Sequence, residues 1–118
     1  MLCGLAGWLC VEALRLQFLG DTAGASAVAE RYMALAPREE QLVLDADEWL
    51  YGRVGYLHGC LLLRHVLGEH VVAEEVLTSI AETVLQHGER YAASVGFEAP
   101  LLWEWQGAEY LGAAHGMM

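Results

Sequence analysis

Two glycine-opened apolar segments in this chain align without a gap at a spacing of 48 residues. The first is GLAGWLCVEALRLQFLG, Gly4–Gly20, and the second is GRVGYLHGCLLLRHVLG, Gly52–Gly68. Gly4 matches Gly52, Gly7 matches Gly55, and Gly20 matches Gly68. Leu9, Leu14 and Leu19 recur as Leu57, Leu62 and Leu67. A fixed period with matched start and stop glycines is the mark of a repeat architecture, in which each unit buries its apolar side only against its neighbours. In the closing HGMM, Gly116 stands where a third such motif would begin, so the chain reads as part of a longer repeat protein.

Between these segments the pattern alternates. Gly4–Leu19 is apolar on most sides, with Glu12, Arg15 and Gln17 as its strong polar interruptions, and a helix of that kind needs neighbours all round. Gly20–Gly24 reads as a break, followed by a second helix over Ala25–Ala36. Pro37 begins a turn with Glu39 and Glu40 suited to a helix N-terminus. The acidic run Asp45-Ala46-Asp47-Glu48 leads into Gly52. Val72–Ala93 is one-faced: Val72, Ala73, Val76, Leu77, Ile80, Ala81 and Val84 fall on one half, opposite Glu74, Glu75, Glu82 and Gln86. Enclosed helices alternating with one-faced helices predict an all-α chain, an arc of an α/α toroid with inner and outer helices. No strand alternation is convincing, although Trp103-Glu104-Trp105 fits a short extended segment or a loop.

The formal net charge of −10 argues against a nucleic-acid surface and against a polybasic membrane patch. No apolar run is long enough to span a bilayer, and no positive residue precedes Leu2–Val11 as a signal peptide would require. Cys3, Cys10 and Cys60 have neither CxxC nor zinc-finger spacing and read as buried free thiols, which fits a reducing, cytoplasmic setting.

The densest chemistry lies in PLLWEWQGAEYLGAAHG, Pro100–Gly116. Trp103, Trp105 and Tyr110 crowd near His115, which small residues flank on both sides. A histidine in such a place can act as general acid or base, and a structural histidine bonded to backbone accounts for it as well. His58, His65, His70 and His87 are scattered and read as structural.

Three segments resemble the LanC-like (lanthionine synthetase C-like) family, nearer its eukaryotic branch: LCGLAG at Leu2–Gly7, DEWLYGRVGYL at Asp47–Leu57, and PLLWEWQGAEYLGAAHG. The resemblance implies a toroid with seven inner helices. It also implies a zinc ion that activates a thiol for addition to a dehydroamino acid. The thiol is a peptide cysteine in bacterial members. In eukaryotic members it is glutathione, adding to dehydroalanine or dehydrobutyrine in polypeptides. A peripheral place at the plasma membrane is compatible with it.

On that resemblance His115 takes the place of the family's Ala-His-Gly histidine, a candidate for protonating the enolate formed on addition. Glu48 takes the place of an acidic residue four positions before a Gly-x-x-Gly glycine, with Asp47 beside it. Either carboxylate can orient the site or exchange a proton with it, and helix capping accounts for the pair equally. The family's zinc ligands belong to later repeats, and Cys3, Cys10 and Cys60 do not stand at those motifs. The chain alone is therefore expected to bind no zinc, to catalyse nothing and to self-associate through uncovered apolar ends. Two other readings stay open: a LanC-like protein that only binds a thiol or a partner, and an unrelated α/α toroid with Asp47 or Glu48 paired to Glu104 across its mouth.

Overall fold

The computed structural model describes residues 4–36 and 47–115. The expected turn at Pro37, the start of the acidic run, Cys3 and the third glycine motif at Gly116 lie outside the described residues. Among the described residues the chain forms α1 (Leu5–Phe18), α2 (Thr22–Met33), α3 (Arg53–Leu67), a 3₁₀ turn (Glu69–Val71), α4 (Glu74–Val95) and a two-stranded hairpin, β1 (Glu104–Trp105) and β2 (Ala108–Glu109). The fold is all-α apart from that hairpin. α1 packs on α2 and on α3, and α3 packs on α4. The two glycine-opened helices are thus neighbours, each followed by a more polar partner.

The outer glycines of each matched segment mark helix ends, while Gly7 and Gly55 lie in the first turns. Gly4 and Gly52 are the N-caps of α1 and α3, and Gly68 closes α3 with φ 112°, a conformation that side chains resist. The break after α1 is shorter than its glycines suggest. α2 begins at Thr22 because Asp21 caps it, its carboxylate accepting from the Gly24 N–H at 2.9 Å. α4 buries Leu77, Ile80, Val84, Gly88 and Ala92 along one stripe, while Ala73 at its N-cap is exposed.

α1 departs from the expectation of burial all round. Its stripe Ala6, Leu9, Cys10 and Ala13 is buried, but Trp8 and Val11 stand exposed and Phe18 is 92% exposed. α2 and α3 cover one side of this helix, so its remaining apolar surface faces outward. No helix among the described residues is long and apolar enough to cross a membrane.

The core centres on two tyrosines between α2 and α3. Tyr32 and Tyr56 stack with ring centroids 4.7 Å apart and planes 1° from parallel. Each hydroxyl donates to the other's backbone carbonyl, Tyr32 at 2.8 Å and Tyr56 at 3.2 Å. Cys10 and Cys60 are buried free thiols beside them. Burial pushes the Cys60 thiol up to about 12 and moves the Cys10 thiol and both phenols in the same direction.

These groups stay neutral in the fold but ionise near their ordinary values once unfolded. Their contribution to stability is complete below pH 9, the ordinary thiol value, and drains away as pH rises toward 12. Unfolding midpoints measured across that range are expected to fall, with Cys60 contributing a slope of about 1.4 kcal/mol per pH unit. A flat profile between pH 9 and 11 would show that the thiols and phenols are not sealed.

Candidate functional site

The glycine motif that opens α3 also builds the site. The Glu48 carbonyl accepts from the Gly52 N–H at 3.1 Å and from the Gly55 N–H at 3.4 Å. Both glycines of the motif therefore hold the backbone of the acidic pair against the start of the helix. The Glu48 side chain folds back on the same turn: Oε2 accepts from the Leu50 N–H at 2.9 Å and Oε1 from the Tyr51 N–H. These bonds close the turn over residues 48–51 just ahead of α3, whose N-cap is Gly52. Glu48 is only 2% exposed.

The third ligand of that carboxylate is His115, whose Nδ1 lies 2.9 Å from Oε2. A carboxylate only accepts, so Nδ1–H donates, and the ring, when neutral, is held in the tautomer whose lone pair is on Nε2. The backbone is fixed as well, because the Ala114 carbonyl accepts from the Trp49 N–H at 3.1 Å. Helix capping was one reading of Glu48, but its side chain binds the turn ahead of α3 and His115, and not the helix N-terminus itself.

Aromatic rings form the other wall. Trp105 lies flat against His115, with centroids 4.1 Å apart and planes 3° from parallel. Tyr51 stacks beyond Trp105 at 6.3 Å, and Tyr110 meets His115 obliquely at 5.6 Å. Trp103 does not join this cluster. Its Nε1–H donates to the Val84 carbonyl on α4 at 2.9 Å, and its ring lies so close to Gly88 that a Cβ there would come within 2.5 Å of it. Gly88 thus admits Trp103, which anchors the chain just ahead of Trp105.

The hairpin turns at Gln106 and Gly107 with φ 52° and 80°, the paired left-handed residues of a tight two-residue hairpin. Glu104 accepts from the Gly107 N–H at 2.6 Å within that turn, so its carboxylate closes its own hairpin. That leaves the paired-carboxylate reading with Asp47 or Glu48 without geometric support.

Asp47 is not brought to His115. Arg53 Nε donates to its Oδ1 at 2.5 Å and Nη2 to its Oδ2 at 3.0 Å. His87, reaching across from α4, places Nδ1 2.9 Å from Oδ2 and 2.7 Å from Nη2. Neither Arg53 nor His87 stood out in the sequence as a site residue. The available signal was Arg53 itself, a charge at the second position of an otherwise apolar, buried motif. His58 meets Trp49 at a tilt of 37°, with ring centroids 4.5 Å apart. An open cleft of about 430 Å³ lies beside this cluster, lined by Asp47, His87, Arg90, Trp103 and neighbouring residues.

The zinc ion that the resemblance implies finds no place here. Among the described residues no three His, Cys, Asp or Glu side chains converge as metal ligands. Cys10 and Cys60 sit in the apolar core as neutral thiols, the wrong form for a ligand.

A family model described as lanthionine synthetase C-like protein matches residues 1–118. The chain is also 29% identical over 119 aligned residues to glutathione S-transferase LANCL1 of Danio rerio. That alignment covers 98% of this chain and 29% of the relative, so the chain spans under a third of the length of the curated protein it matches. Because that family model spans the whole sequence, the chain belongs to the lanthionine synthetase C-like family.

Proposed function

We propose that this chain supplies the acid–base pair of a thiol-addition protein that joins glutathione, or a cysteine thiol, to dehydroamino acids in polypeptides. The observation that carries this reading is the buried Glu48 carboxylate holding His115 in one tautomer beneath the flat face of Trp105. The relative named as a glutathione S-transferase supports glutathione as the thiol.

In the addition the sulfur forms a bond to Cβ and the π electrons of the alkene pass to the enolate. A proton must then reach Cα, matching the one the thiol has lost. Nε2 of His115 is the atom that carries it, and Glu48 stabilises the ring while it does so. On this reading a thiol-activating zinc would be held by residues of other repeats, and such repeats would cover α1's exposed apolar face. Alone, the chain forms no thioether and self-associates. The buried free thiols support a reducing, cytoplasmic setting.

The test is to incubate the full-length protein with glutathione and a peptide carrying one dehydroalanine, reading the product by mass. One glutathione added per peptide, above the rate without protein, is the expected result. Glutathione binding with no adduct would replace this reading with the non-catalytic one.

A further inference from the structure

We propose that Arg53, with Asp47 and His87, is the positioning unit that holds Glu48 in register with His115. The inference rests on the acid–base reading of the Glu48–His115 pair and assigns a role to the cluster that reading leaves unused.

The starting point is the adjacency of two carboxylates with opposite fates. Asp47 and Glu48 are consecutive, and both are almost fully enclosed. Two neighbouring carboxylates in a water-poor place repel, and either could take the His115 position if nothing distinguished them. Arg53 distinguishes them. Its planar fork engages both oxygens of Asp47, with Nε on Oδ1 and Nη2 on Oδ2, a geometry an ammonium cannot reproduce. Arg53 is 4% exposed, so the pair is shielded from solvent screening.

With Asp47 committed, the Glu48 backbone is pinned by Gly52 and Gly55, the residues on either side of the Arg53–Val54 step. Three positions of one short motif therefore act together: two glycines hold the carbonyl of Glu48 and the arginine holds the residue before it. His87 extends the unit to α4, the helix on which Trp103 is seated ahead of Trp105. Both walls around His115 are thereby referred to one helix. Arg53, Asp47 and His87 act on the reaction through Glu48 and touch no reacting atom.

The experiment uses full-length protein labelled with ¹⁵N in its histidines. The His115 ring signal is identified by its loss in His115→Asn, and its tautomer is read without substrate or turnover. The wild type is expected to show the Nδ1–H form. Arg53→Met and Asp47→Asn are each expected to give a mixture of tautomers and to lower kcat about 10²-fold with KM little changed, as a displaced catalytic group does. Arg53→Met added to Glu48→Gln should lower kcat no further.

If the tautomer stays fixed in a folded Arg53→Met or Asp47→Asn protein, the cluster is only structural and the proposal fails. It also fails if the Arg53→Met and Glu48→Gln losses multiply. Should Arg53→Met not fold, the isosteric Asp47→Asn decides alone. A tautomer that responds in a protein with no thiol-addition activity would uphold the positioning role and overturn the functional reading instead.

Discussion

His115→Asn is expected to lower the rate of thiol addition by the full-length protein about 10²–10⁴-fold, the usual worth of a positioned general acid or base. The asparagine side chain keeps a donor that can meet Glu48, so the buried carboxylate is not orphaned and the fold should survive. What is lost is a group able to carry a proton at Nε2. Glutathione binding, measured calorimetrically, should change little, because nothing in the Glu48–His115–Trp105 arrangement requires the ring to hold the thiol. Glu48→Gln should have a smaller effect of the same kind: its one amide oxygen can stand either towards Leu50 and His115 or towards Tyr51, with the NH2 in the other place, so one tautomer of His115 is no longer selected. A loss below tenfold in His115→Asn, with binding intact, would remove His115 from the proton path and leave it as a structural partner of Glu48.

The helices were legible because their signals are local. Matched glycines at 4, 20, 52 and 68 mark where α1 and α3 begin and end, and the one-faced pattern of α4 gives its buried stripe. Start points were less secure where a side chain overrides a glycine: Asp21 caps α2 three residues ahead of the expected position. Burial of α1 was overestimated, since apolar content says what a helix would bury and only its neighbours decide what it does bury.

The site divides the same way. His115 and Glu48 were visible as residue types in a family pattern, yet their contact spans 67 residues and no local period encodes it. Arg53, Asp47 and His87 come together across separations of 34 and 40 residues, which is why His87 read as one of four scattered histidines. Trp103 and Trp105 read as one aromatic cluster and serve different purposes, because Gly88 receives the first and His115 stacks on the second.

Gly59→Ala is expected to destabilise the fold by about 2–5 kcal/mol, against the ordinary preference of a helix interior for alanine over glycine by about 1 kcal/mol. The sign is set by Tyr32. A Cβ at position 59 would lie 2.1 Å from the Tyr32 hydroxyl and 2.8 Å from its Cζ. That ring cannot step aside: it is 1% exposed, stacked on Tyr56, and tied through its hydroxyl to the Tyr56 carbonyl. Relief requires either α2 and α3 to separate or the hydroxyl to leave its acceptor, and each route loses core contact or leaves the buried Tyr32 hydroxyl unpaired. Tyr32→Phe separates the two contributions, since it deletes the atom at 2.1 Å while keeping the ring. The double variant Gly59→Ala with Tyr32→Phe should therefore be less destabilised than the sum of the singles. Strict additivity would show that the helices relax apart without cost. A stabilised Gly59→Ala would mean that α2 does not press on α3 there, and the tyrosine pair would then not be the contact that sets the spacing between these two helices.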